Sequence, residues 1–406
     1  MRALDGVVVL DLTRVLAGPY GTMLLGDMGA TVVKIEPPWG DETRRTPPFK
    51  AGASVPFELV NRNKDGVILD LDHRAGAAAF RRLAASADVV VENYRPGTME
   101  RLGLGWDTLR ALNPRLVMAS VSGFGQTGPY ARRGGYDLVT QAMSGIMSVT
   151  GEAAGPPVKC GLPITDLCAG LFMVQGVLLA LFHRTRTGEG QYVDTSLFEA
   201  GVALSVWQAA EYWGQGTVPG RLGSGHPLVA PYEALATRDE HIIVGAQTER
   251  LWPSFCEVIG RPDLADDPRF AGIAARVRHR AELRKELEQA LATHEASYWL
   301  ERLEQAGIPA APILGYDAVY ADPQALARGM VIASADGTTP LVGNPLKMSR
   351  TPWQLRKRAP ALGEDTDDVL QRSGFTPTDI DALRRLGVLD RRDKPCADPV
   401  DPRSRS

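Results

Sequence analysis

Apolar residues enter the chain in short unbroken runs. GVVVLDL, residues 6–12, is a run of the kind shown by a strand covered on both faces. Gly18-Pro19 breaks it and opens a helix over about Tyr20–Met28, which stops at Gly29. TVVKIE (31–36) predicts a second strand. VILDLD (67–72) predicts a third strand or an extended turn, and an amphipathic helix runs from about Ala75 to Ala87. DVVVENY (88–94) is a further buried strand with Asn93 at its polar end. A short helix closes over Leu109–Leu112, and RLVMASVSGFG (115–125) runs from strand into a glycine loop. Alternating strand and helix patterns predict a parallel α/β sheet.

Tyr136–Val149 and Asp166–Thr185 read as helices, and QYVDTSLFEAGVALSVWQAAEYW as a strand leading into a long helix. The most apolar stretch, Ala169–Phe182, falls short of the ~20 residues that cross a bilayer and contains Gln175, so it reads as a buried helix. Gly and Pro cluster over 214–227, which marks a linker. Beyond it lie a hairpin (YEALATRDEHIIVGA) and Arg-rich amphipathic helices from Glu249 to Ala306, whose Arg series, Glu301 and Glu304 read as solvated. After Pro309–Pro312 the pattern is loop-rich. The tail 391–406, charged and Pro-rich, reads as disordered.

Composition narrows the function classes. The 406 residues are 44% hydrophobic and 23% charged, as a globular chain is. The net charge of −3 carries no overall basic footprint for nucleic acid. Arginine dominates the cations, 37 against 8 lysines, and arginine makes bidentate contacts with phosphate and carboxylate. Cys160, Cys168, Cys256 and Cys396 form no CxxC, and no His/Cys cluster has metal spacing, so no metal is expected. The N-terminus reads directly as a strand, without a secretory pattern. The expectation is a cytoplasmic protein without membrane or nucleic-acid partners.

No Walker A motif, GxGxxG, HExxH, GxSxG or kinase signature is present. Asp166 opens the apolar helix. It reads as an N-cap, and equally as a carboxylate held ionised by the helix dipole and able to attack an activated acyl group; the two readings are compatible. TRVLAGP (13–19) and SGFGQTGPYARRGGYD (122–137) bring glycines to the carboxyl edge of the sheet, where ligands of open α/β sheets bind. Arg14, Lys34, Arg44, Arg45, Arg95, Arg101, Arg132 and Arg133 lie near such edges and point to a phosphate-bearing ligand. His226, in the glycine-rich GSGHP, is read as lining a cleft.

LDLTRVLAGPYGTMLLGDMGATVVKIE, NRNKDGVILDL, DVVVENYRPGTMERLGLG, ASVSGFGQTGPYARRGGYD, ITDLCAG, RTGEGQYVDTSL and LGEDT together resemble the family III CoA-transferases over about residues 3–370. Within that family the pattern is nearest to the dicarboxylate enzymes of the succinyl-CoA:glutarate type. The resemblance implies a Rossmann-like large domain, a smaller α+β domain and an interlocked homodimer. It sets the domains at 1–213, linker 214–227, 228–325, and a returning segment 326–390. It implies coenzyme A, carried as acyl-CoA, and a small carboxylic acid as ligands. Asp166 falls at the nucleophile. Leu16, Ala17, Leu69, Asp70, Asp72, Asn93, Tyr94, Arg95, Arg101, Arg133 and Tyr136 fall where the family binds CoA, and Asp137 where an acid lines the site. Arg44, Gly223, Gly225 and His226 are the expected substrate contacts, the glycines as oxyanion donors with Gly18 as the alternative, and Arg44, Arg45 and His226 as cations for a distal carboxylate.

Departures from the family are informative. Leu16 replaces the glutamine of formyl-CoA transferase, which speaks against formate or oxalate. Pro37 and Asp72 replace an arginine and a lysine at the nucleotide, a loss that Arg44, Arg45 or Arg74 would make good. Tyr136 replaces the histidine base of related α-methylacyl-CoA racemases, and a phenol with a pKa near ~10 is a poor base at neutral pH. An acyl-CoA isomerase, by racemisation or by an intramolecular CoA shift, remains the alternative.

Overall fold

The computed structural model describes residues 1–334, 337 and 339–393. Six strands form one all-parallel sheet: β1 (Val8–Asp11), β2 (Thr31–Glu36), β3 (Lys64–Ile68), β4 (Val89–Glu92), β5 (Val117–Ser122) and β6 (Tyr192–Ser196), in the order β3-β2-β1-β4-β5-β6. Side chains alternate between two apolar layers. Val9, Val89, Val91 and Val121 pack with Ala17, Leu25, Met173 and Val177 of helices α1 (Ala17–Asp27) and α5 (Ile164–Thr187). Leu10, Val33, Val90 and Met118 pack with Phe80, Leu83 and Leu109 of α2 (Arg74–Ala84) and α3 (Trp106–Leu112). Covered faces on both sides explain the near-continuous apolar runs.

Several elements differ from the pattern. The third strand starts at Lys64 rather than Val67. Periodicity discounts Lys64 and Asp65 as strand residues, but each finds partners inside: Lys64 Nζ meets Asp11 at 2.9 Å, and Asp65 binds Lys357 and Arg372. The helix expected over 136–149 is two pieces, α4 (Asp137–Met143) and Ile146–Val149, broken at Gly145 with φ 89°. The long helix after β6 is also two, Leu197–Ala203 and Val206–Gln215. The C-terminal stretch holds α6 (Thr366–Arg372) and α7 (Pro377–Arg385), whose Val369, Leu370, Ile380 and Leu383 complete the α2 layer. Arg391–Asp393, expected as tail, are described, and Arg392 pairs with Asp70 at 2.5 Å. Residues 394–406 of the expected tail, Cys396 among them, lie outside the described residues.

The helix expected as buried is so on one face only. Met173, Val177, Ala180 and Leu181 of α5 face the sheet, while Leu171, Phe172, Leu178, Leu179 and Phe182 are exposed. At 24 residues, α5 is by length and composition long and apolar enough to span a bilayer, where the stretch 169–182 is not.

The chain divides into two units, 1–144 with 161–204 and 323–406, and 145–160 with 205–322. The second is α+β. Strands β7 (Tyr232–Ala236), β8 (His241–Gly245) and β9 (Ala310–Pro312) form an antiparallel sheet in the order β9-β8-β7. They share a core with Trp252, Phe255, Leu287 and Trp299. Glu301 and Glu304 are exposed as expected, but Arg276 is fully buried. Its guanidinium donates to the carbonyls of Ala230, Phe270 and Gln247, which replace the water it gives up.

Candidate active site

From β1 the sheet grows outward through β2 to β3, then returns to add β4 on the other side of β1. The loops that leave β1 and β4 therefore diverge and open a crevice at the carboxyl edge, the place where such sheets bind ligands. A cavity of about 360 Å³ lies there. Residues 14–17 line it from the β1 loop, Asn93–Pro96 and Thr98 from the β4 loop, and Val121–Gly123 from the end of β5. Arg133–Tyr136, Glu42, Leu197 and Asp166 complete it.

Eight of the residues expected at the site converge on this cavity: Leu16, Ala17, Asn93, Tyr94, Arg95, Arg133, Tyr136 and Asp166. Leu69, Asp70, Asp72 and Arg101 line a second, smaller cavity of about 60 Å³ with Pro37 and Trp39. Arg14, Tyr94 and Thr98 border both. Two glycines make the floor possible. A Cβ on Gly123 would sit 2.8 Å from the Cα of Gly135, so loops 122–125 and 134–137 cross where only glycine fits.

Asp166 is the third residue of α5, not its cap, so the capping reading falls. The reason is Asp137. Its Oδ1 accepts the Thr165 N–H at 3.0 Å and the Thr165 hydroxyl at 2.8 Å, so a carboxylate from α4 serves the start of α5. Asp137 also accepts from Gln141 Nε2 at 2.7 Å and does not line the cavity. Among the described residues no hydrogen bond or ion pair reaches the Asp166 carboxylate. Burial, and then the Asp137 charge, push its pKa up to about 7. The expectation that the helix terminus holds it ionised is thereby corrected: burial and the Asp137 charge both act against the anion.

The remaining expected contacts have other partners. Arg44 grips Glu36 with two nitrogens at 2.6 and 2.8 Å, donates to the Pro360 carbonyl and stacks 3.8 Å from the Phe57 ring centroid. Arg45 donates to the Trp39 carbonyl. Gly223, Gly225 and His226 belong to the second unit. The Gly223 and Gly225 amides donate to the carbonyls of Gly151 and Leu222, so neither is a free oxyanion donor. His226 meets Trp207 and Tyr232 edge-on, and burial followed by Arg280 lowers its pKa, which keeps it neutral rather than a cation for a carboxylate.

Val15, Glu42 and Thr98 line the cavity without having been singled out, and Arg14 was singled out only as an edge cation. For Arg14 and Val15 the signal is the break TRVLAGP directly after a buried strand, since loop residues following such strands face the crevice. Among the described residues Arg14, Arg95 and Arg133 have no carboxylate partner. Arg14 lies 4.8 Å from the Tyr94 ring centroid and Arg133 5.7 Å from that of Tyr130. Unneutralised guanidinium groups on one crevice suit an anionic ligand.

Comparison with known proteins identifies the family. The chain is 42% identical over 352 residues to the acetyl-CoA:oxalate CoA-transferase of Acetobacter aceti, covering 85% of this chain and 89% of that protein. It is 39% identical over 378 residues to the succinate–glutarate CoA-transferase of Agrobacterium fabrum, covering 90% and 94%. Among solved structures, a CAIB/BAIF family protein from Brucella suis superposes with a TM-score of 0.82 at 38% identity, covering 92% of this chain and 99% of that one. The profile of CoA-transferase family III matches residues 4–366. With the match spanning the sheet, the crevice and Asp166, the chain belongs to CoA-transferase family III.

Proposed function

We propose that the protein moves CoA from an acyl-CoA, succinyl-CoA or another dicarboxylyl-CoA, to a free carboxylic acid with Asp166 as nucleophile. One observation carries this reading. Asp166 stands at a crevice lined by residues of the CoA-binding pattern and is relieved of the capping role by Asp137.

The Asp166 carboxylate adds to the thioester carbonyl, and collapse of the adduct expels CoA thiolate and leaves a mixed anhydride. The thiolate adds to the aspartyl carbonyl, which releases the donor acid and leaves an aspartyl-CoA thioester. The acceptor carboxylate runs the same two steps in reverse. One thioester replaces another, so the free-energy change is small and no ATP is needed. Each oxyanion needs donors. Helix α1 opens at this cavity without a side-chain cap, which makes the Ala17 and Gly18 amides the candidates. Arg14, Arg95 and Arg133 replace Arg44, Arg45 and His226 as cations for a distal carboxylate. The second cavity, with Trp39, Asp72 and Arg101, takes the nucleotide end.

The acceptor is a small diacid. A relative named for oxalate and one named for glutarate are similarly close in sequence, so overall similarity does not choose between these acids. A second copy of the chain, interlocked with the first, covers the exposed strip of α5.

Asp166→Ala should abolish transfer while acyl-CoA still binds, and in the unsubstituted enzyme hydroxylamine added after acyl-CoA should convert the side chain of Asp166 alone to a hydroxamate with release of CoA; turnover by the Ala variant would remove the mechanism. Succinyl-CoA incubated with acids from oxalate to glutarate, read by mass for new thioesters, names the acceptor.

A further inference from the structure

Val15 has φ 69°. A β-branched residue in the left-handed region is an outlier, and such strain persists only where the surroundings over-determine it. The turn is clamped on both sides of the outlier. Asn93 accepts the Arg14 N–H at 2.8 Å and donates to the Arg14 carbonyl at 2.7 Å. Asp41 Oδ1 accepts the Val15 N–H at 3.3 Å. Lys34 Nζ donates to the Thr13 carbonyl at 3.0 Å and to Asp41 Oδ2 at 2.9 Å. Asp11 accepts the Thr13 N–H at 2.9 Å.

Lys34 and Asp41 have fully buried side chains and do not line the cavity. A buried ion pair is weak evidence for stability, because desolvation offsets most of its attraction. What this pair touches is the backbone of the cavity loop. The direction of Val15 sets how Leu16 and Ala17, which line the cavity with Asp166, enter α1. Glu36 extends the arrangement: its carboxylate accepts the Asp41 N–H at 2.8 Å and is gripped by Arg44. Arg44 thus steadies the loop from behind and stays out of the site.

We propose that the buried Lys34–Asp41 pair is a positioning device that holds Val15 in its strained conformation and so aims the Leu16–Ala17 segment at the reacting carbonyl. This rests on the transferase reading above. Asp41→Asn should lower kcat on the order of 10- to 100-fold with KM for acyl-CoA little changed, since misplacement of a positioning segment costs that much. Adding Val15→Gly should restore kcat to near that of Val15→Gly alone, because glycine adopts positive φ without being held there. A double variant as slow as Asp41→Asn, or a kcat unmoved by Asp41→Asn, overturns the proposal. If Asp41→Asn does not fold, Val15→Gly in the otherwise unchanged chain still decides. Because glycine also loosens the unfolded chain, the comparison is with Val15→Ala, which keeps a Cβ at positive φ: Val15→Gly should melt a few degrees above Val15→Ala, and an equal or lower Tm overturns the proposal. Wild-type transfer from succinyl-CoA is the control. Its absence would remove the function proposed above, while the Tm measurement still reads the strain.

Discussion

At the scale of single residues, the protonation of Asp166 sets the working pH. Its carboxyl is lifted to about 7 by burial and by Asp137, and only the anion attacks. The kcat/KM should therefore fall about tenfold per pH unit below pH ~7 and level off above it. Asp137→Asn removes the second cause and should move that midpoint down; a profile unchanged by the substitution would show that Asp137 does not act on the nucleophile. The same shift has a stability consequence. Between the unfolded pKa of 3.8 and about 7 the unfolded chain ionises while the folded one keeps its proton, so Asp166 costs stability progressively across that window. Asp166→Asn should be stabilising by up to roughly 3–4 kcal/mol at pH 8 and near neutral at pH 4, as denaturant titrations at the two pH values would read.

At the scale of elements, the site depends on two helices that touch backbone to backbone. A Cβ on Gly170 of α5 would lie 2.5 Å from the Ala17 carbonyl oxygen, and one on Gly21 of α1 would lie 2.9 Å from that of Gly170. Gly170 is one turn beyond Asp166, so this contact brings the nucleophile to the start of α1. Gly170→Ala should force the helices apart, lowering kcat at least about tenfold as well as Tm; full activity in that variant would mean that the approach is incidental. Glycines in α1 and α5 are visible in the sequence as poor helix formers. That they face each other is not, because residues 21 and 170 meet only after the sheet has ordered the strands between them.

At the scale of the whole molecule, the C-terminal segment belongs to the core rather than to a tail. Val369, Leu370, Phe375, Ile380, Leu383, Val388 and Leu389 close the α2 layer. A chain ending at residue 365 should lose that layer, each large side chain contributing about 1.5–3 kcal/mol of burial, and should fail to give a cooperative melt. The exposed strip of α5 makes a second prediction. Phe182→Glu with Leu179→Arg should leave a species of half the native mass in sedimentation if a second copy covers that strip, and an unchanged mass in both proteins would contradict that arrangement.

What the sequence by itself determined is what short-range physics encodes. Apolar runs separated by helix-length segments specify a parallel sheet, and glycine loops after β1 and β5 mark the edge that carries the site. An acid at the head of an apolar helix, within ITDLCAG, singles out Asp166. Only the tertiary structure decided which charges are paired and which are free. It gave the capping role to Asp137, Arg44 to Glu36, and the Gly223 and Gly225 amides to backbone carbonyls. It buried Lys34, Lys64 and Asp41, which a sequence presents as surface residues. These partners lie far apart or across loops, and a charge is stable inside a protein only when a specific partner meets it there. That condition has no period for a sequence to display.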